Sequence, residues 1–234
     1  MWARLSGVPL LWLIVTLLAY QAARAVYRRS NLNPCANPVL LCVTFVGGLL
    51  LLTGTSHETY FDNVRLLHVL LGPATVALAI PLHDQLGRLK TMLFPLLLAV
   101  LCGSITAIAS AVSIGWALGA SPEVLLALAP KSATMAIAIG IADTTGAPVA
   151  LFALTVTMTG ISGAVMARGL LGLLRIDDPA VRGVAIGTTA HAIGTAQAFQ
   201  ENDTAGAFAA LAMGLTGILT ALLVPTLAAA VGRT

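Results

Sequence analysis

A polytopic all-α membrane protein is the fold class the sequence predicts, on three observations. Hydrophobic residues make up 58% of the 234 positions and charged residues only 9%, with a mean hydropathy of +0.95. A soluble domain carries roughly a quarter charged residues, so this chain cannot coat a water-facing surface and the bilayer is its implied solvent. The apolar residues gather into runs near the ~20 needed to span the hydrocarbon core. Several runs are interrupted by Pro, Gly and hydroxyl residues, which predicts discontinuous helices meeting near the bilayer midplane. Seven or eight helical segments result, in a single transmembrane domain covering residues 1–234.

The first segment is Val8 to Val26. Ala23-Arg24-Ala25 mimics a signal-peptidase site, but the run is long enough to span, and it is read as an uncleaved transmembrane helix. Arg24, Arg28 and Arg29 outweigh Arg4, which puts this end in the cytoplasm and the N-terminus outside. Asn37-Pro38 opens the second segment, Val39 to Leu52, and a loop carrying Glu58, Tyr60 and Asp62 is expected outside. The third, Val64 to Leu82, contains Pro73 and Pro81 and is expected to be broken or kinked. Arg88 and Lys90 precede the fourth, Leu93 to Leu118, and Gly119 to Glu123 forms the next outward loop.

Residues 124–146 do not read as one plain span, because Pro130-Lys131-Ser132 and then Asp143-Thr144-Thr145-Gly146 interrupt them. A single crossing would put Arg168, Arg175 and Arg182 outside, against the positive-inside rule. A hairpin of two half-helices, with Lys131 and Ser132 at its buried tip, returns them to the cytoplasm. The remaining segments are Ala147 to Leu174, Val184 to Phe199, and Ala207 to Val231; all three are read as crossings, so Arg233 is also expected inside.

Internal repeats are expected. Ala74 to Ile80 matches Ala133 to Ile139 at five of seven positions, and each copy is preceded by a Gly-x-Ser-x-Glu, at Gly54 to Glu58 and Gly119 to Glu123. A weaker echo pairs Thr159-Gly160-Ile161 with Thr216-Gly217-Ile218.

Two constellations carry chemistry. A charge at hydrocarbon depth costs on the order of 2.5–3.5 kcal/mol on insertion scales, so Lys131 needs a reason to exist. Lys131, with the Ser132 and Thr134 hydroxyls and the amides after the break, can hold a carboxylate; the competing reading is a lysine snorkelling to a headgroup. The second constellation runs from Gly187 to Ala196, where small residues allow close helix packing but do not explain His191, which can donate to a carboxylate, accept a proton in symport, or merely bond a facing carbonyl. Gly194 and Thr195 flank it. His68 is read as a packing residue, and His57 and His83 as solvated helix ends.

Cys35, Cys42 and Cys102 lack metal-ligand spacing and are expected as small core residues. No metal or cofactor is expected, and the scattered basic residues exclude nucleic acid. Enzymatic chemistry is not expected: the spans hold no carboxylate pair, and neighbouring Ser132 and Lys131 cannot share one helix face.

Asn37-Pro38, Leu71 to Ala79, Pro130-Lys131-Ser132-Ala133-Thr134 and His191 to Ala196 resemble the LrgB/CidB family of membrane proteins, over about Pro9 to Val231. Met135-Ala136 departs from a Pro often found there. The resemblance implies a multi-pass protein of the bacterial inner membrane and adds Asn37 and Thr75 to the substrate-binding candidates Lys131, Ser132, Thr134, His191, Gly194 and Thr195. It implies secondary transport of a small monocarboxylate such as glycolate, glycerate or pyruvate, as in the similar transporter half of the plastid glycolate/glycerate translocator. The alternative it implies is holin/antiholin-like control of murein hydrolase export and autolysis. A separate small LrgA/CidA-type membrane protein is the expected partner, alongside a homo-oligomer.

Overall fold

The computed structural model describes residues 10–31 and 33–230. All regular structure among them is helical. The chain forms two compact units, Met1–Ala79 and Ile80–Thr234.

In the first unit, α1 (Leu11–Arg29) leads through a short 3-10 turn (Pro34–Ala36) to α2 (Pro38–Thr53) and α3 (His57–Ala77). The start of α2 is dictated locally: Pro38 supplies a fixed φ at the first position, and the Asn37 side chain accepts from the Val39 and Leu40 amides. Its end is Gly54, at φ 63°, a left-handed conformation that a side chain would strain. Two residues on, the Ser56 hydroxyl accepts from Thr59 N and starts α3. Glu58, Tyr60 and Asp62 therefore lie in the first turns of a helix and not in a loop as expected, because the Ser56 cap is stronger than the break that the polar composition suggested. Tyr60 is held by α1, its ring edge-on to Trp12 at 5.8 Å and its hydroxyl 3.1 Å from Thr16 Oγ1.

Pro73 lies inside α3, which continues through it to Ala77; the helix breaks at Leu78, and α4 (Ala79–Asp84) follows. Pro81 has no amide to offer the Ala77 carbonyl, so the ladder stops there. Cys42 is buried as expected, but Cys35 and Cys102 are exposed, and all three are free thiols.

The second unit contains α5 (Leu86–Ala117), α6 (Pro122–Leu128), α7 (Met135–Thr145), α8 (Val149–Leu173), α9 (Pro179–Glu201) and α10 (Asp203–Ala230). Gly119, at φ 76°, ends α5 as Gly54 ends α2, and Ser121 stands at the cap of α6 as Ser56 does at that of α3, though without a side-chain bond to the helix amides. The matching heptapeptides are not structurally alike: Ala74 to Ile80 straddles the end of α3, whereas Ala133 to Ile139 opens α7.

Residues 122–145 form the expected hairpin. Ser121, Pro122 and Glu123 at its start and Thr145, Gly146 and Ala147 at its end line one cavity of about 500 Å³, so the chain returns to where it entered.

Residues 179–201 do the same, where a crossing helix was expected. Arg182 and Glu201 stand ~28 Å apart along a straight helix, yet Arg182 Nη2 lies 3.9 Å from Glu201 Oε2. A Cβ added at Gly194 would come within 2.8 Å of the Ile186 side chain, eight residues back. The reversal is at His191, whose φ of 38° and ψ of −135° are not helical. Composition concealed it, since the stretch holds no proline after Pro179. As α9 does not cross, the positive-inside count that put Arg233 with Arg175 no longer follows; Arg233 itself lies outside the described residues, as do Val8, Pro9 and Val231.

The first arm of α9 packs on α10 through small residues. A Cβ on Gly183 or Gly187 would overlap the carbonyl of Ala205 or Ala209, a close approach of the small-xxx-small kind. Four stretches among the described residues are long and apolar enough to cross a membrane: His57–Asp84, Leu86–Ala117, Val149–Leu173 and Asp203–Ala229.

Candidate functional site

The two hairpins enter from opposite ends of α8. The first has its mouth at Ser121 and Ala147, beside the start of α8; the second opens at Asp178 and Glu201, just past its end, ~37 Å away by helix geometry. Their tips are held by consecutive residues. Thr155 Oγ1 donates to the Ala127 carbonyl at 2.8 Å, in the last turn before the first tip. His191 Nε2 donates to the Val156 carbonyl at 2.9 Å, which fixes the tautomer because a carbonyl only accepts.

At the first tip Pro130 and Ser132 are buried and Lys131 is half-buried. Lys131 Nζ donates to Ser132 Oγ at 3.2 Å. The expectation that these neighbours could not meet assumed a helix, but residues 130–134 lie outside any helix. Thr134 caps α7 without a side-chain bond to its amides. The first amides of α7 carry the positive end of the helix dipole toward the tip, so one ammonium, two hydroxyls and a helix start gather in five residues.

At the second tip His191 and Thr195 are each 3% exposed. Thr195 Oγ1 donates to the His191 carbonyl at 2.8 Å, and Gly194 lets the two arms close on Ala190 and Ile186. Gly160 on α8 is required here, since a Cβ there would lie 2.5 Å from the imidazole. The first hairpin has a counterpart: a Cβ at Gly217 on α10 would lie 2.6 Å from Ile137 of α7. Thr159-Gly160-Ile161 and Thr216-Gly217-Ile218, the weaker echo in the sequence, thus supply the notches that receive the second and first hairpins respectively.

Of the eight candidates, Lys131, Ser132 and Thr134 share one tip and His191, Gly194 and Thr195 the other. Asn37 and Thr75 belong to the first unit. Asn37 is buried as the cap of α2, while Thr75 is exposed with its hydroxyl on the Leu71 carbonyl. Sequence reasoning missed Thr155, Val156 and the buried hydroxyls of Ser104 and Thr220; the Gly187 to Ala196 stretch already contained Thr188 and the Thr-Gly-Ile echo Thr216, without singling out either hydroxyl.

The profile of the LrgB-like family matches residues 16–230. The chain is 34% identical to the uncharacterized protein YwbG of Bacillus subtilis, over 92% of this chain and 95% of that protein. It is 31% identical to the uncharacterized protein YxaC of the same organism, over 91% and 92%. Identity to the antiholin-like protein LrgB of Bacillus mycoides is 26%, over 93% and 94%. No solved structure matches it. With the family profile spanning almost all of the described helices, the chain is a multi-pass membrane protein that belongs to the LrgB-like family.

Proposed function

We propose that the protein is a carrier that moves a small monocarboxylate, of the glycolate, glycerate or pyruvate kind, across the bacterial inner membrane. The observation that carries this reading is the meeting of two half-membrane hairpins, one tip bearing Lys131 and the other His191, on adjacent residues of α8. Helix starts directed at a buried tip favour anions, and Lys131 supplies the countercharge, with Ser132 and Thr134 as neutral donors. Polar groups confined to two tips bonded to adjacent residues of α8 suit a carrier better than a pore, which needs a continuous polar path.

A second reading is antiholin-like regulation of murein hydrolase export and autolysis. The relatives named antiholin-like support it more directly than they support transport, since none of the names quoted specifies a solute. Either activity would run with a separate small LrgA-type membrane protein and in a homo-oligomer.

Counterflow of labelled glycolate into proteoliposomes separates the two. Saturable, stereoselective counterflow that Lys131→Ala abolishes in correctly inserted protein is the expected result. Absence of counterflow for glycolate, glycerate and pyruvate alike, in protein that restrains autolysis in cells, overturns the carrier reading in favour of the regulator.

A further inference from the structure

We infer that the second unit holds a site for a monovalent alkali cation, Na⁺ in the first instance, built from the hydroxyls of Thr188, Ser104 and Thr216 and the last carbonyls of the first arm of α9. Thr188 is 4% exposed, and its Oγ1 is buried with no hydrogen-bond partner. A buried hydroxyl without a partner has lost its hydration for nothing in return, so it calls for an occupant. Its methyl lies against α5, 3.0 Å from where a Cβ of Gly103 would stand. The next residue, Ser104, is 1% exposed and its hydroxyl reaches Thr216 Oγ1 at a long 3.5 Å; Thr216 is fully buried.

The backbone adds acceptors to this set. Thr188 sits in the last turn of the first arm, and because the chain reverses at His191, the final carbonyls of that arm lose the amides that would follow in a straight helix. A helix C-terminal end carries partial negative charge and draws cations.

The donor set selects the ion class. Every ligand is a neutral oxygen, and no group of three or more His, Cys, Asp or Glu gathers among the described residues. Divalent cations are held mainly with carboxylates, whereas rings of neutral oxygens suit monovalent ions. None of these hydroxyls titrates near neutral pH, so this cluster cannot store a proton in the ion's stead.

The inference rests on the carrier reading only for its purpose, which is coupling; binding itself is independent of transport. The test is thermal unfolding of the full chain in detergent, in NaCl against choline chloride at equal ionic strength. The expected result is a saturable rise in Tm with Na⁺ that Thr188→Val and Thr216→Val, both close in shape, remove. Equal Tm in the two salts for the unaltered protein overturns the site, as does a full Na⁺ shift retained by Thr188→Val, which would leave a bridging water as the occupant of that hydroxyl. Because no solute is present, a protein that fails in counterflow can still show the shift, and the two readings fail separately.

Discussion

His191 and Val156 are 35 residues apart in sequence and joined by a 2.9 Å hydrogen bond from Nε2 to the carbonyl oxygen. This bond pins the tip of one hairpin to the helix whose preceding residue holds the other. It also explains how a histidine tolerates a φ of 38°, a region costing on the order of 1–3 kcal/mol for a residue with a Cβ. Replacing His191 therefore has two separable effects. His191→Ala keeps the backbone strain and loses the side-chain bond to the Val156 carbonyl, which keeps only its place in the α8 ladder, while His191→Gly loses the same bond but relieves the strain. Melting in detergent should rank the unaltered protein above His191→Gly, and His191→Gly above His191→Ala.

The notches at Gly160 and Gly217 differ in what they receive. A Cβ at Gly160 meets an imidazole ring fixed by its hydrogen bond, whereas one at Gly217 meets the flexible end of Ile137. Gly160→Ala should lower stability by about 1–3 kcal/mol, the usual range for overpacking, and Gly217→Ala by less. Equilibrium unfolding of the two variants checks the order.

Hairpin topology is testable by labelling from either side of the membrane. In protein freed of Cys35, Cys42 and Cys102, cysteines at Gly119 and Ala147 should react from one side and cysteines at Asp177 and Asn202 from the other. Opposite-side labelling of Asp177 and Asn202 would restore α9 as a crossing helix.

Asp178 caps α9 through the Ala180 and Val181 amides and pairs with Arg88 of α5 at 2.5 Å. Desolvation is the largest single influence and pushes its carboxyl pKa up, but the two amides and the guanidinium together outweigh it and hold the carboxyl below the ordinary value. A carboxyl with a depressed folded pKa lends stability above its unfolded value, about 3.9, and loses it as pH falls toward the folded value. Asp178→Asn should thus melt below the unaltered protein at pH 6, with the gap closing as pH drops under about 4. The pair is exposed, so the gap should be small.

The first hairpin was legible because its break is written in residues that cannot continue a helix: Pro130 beside a lysine, with basic residues downstream whose side of the membrane depended on the answer. The second was not, because its reversal uses a histidine in a left-handed conformation, which no propensity favours and only the Val156 carbonyl and the Gly160 notch sustain. Lys131, Ser132 and His191 stood out as polar groups in apolar runs. Thr188 and Thr216 stood inside features that the sequence offered, the Gly187 to Ala196 stretch and the Thr-Gly-Ile echo, but their hydroxyls did not stand out, since a threonine reads the same whether its hydroxyl bonds its own helix, as Thr189 does to Ala185, or is left unpaired inside.

The dependence of α9 on Gly183 and Gly187 docking against Ala205 and Ala209 has a consequence for biogenesis. Its arms are poor in the large aliphatics that drive partitioning into lipid, and the surface they dock on is synthesised after them. A chain halted at Asn202 has α8 but not that surface, so its last segment stays at the interface until α10 has been inserted. Assembly of the tip is then the closing event of the protein's maturation, and truncations that remove α10 yield an inserted chain with no second hairpin.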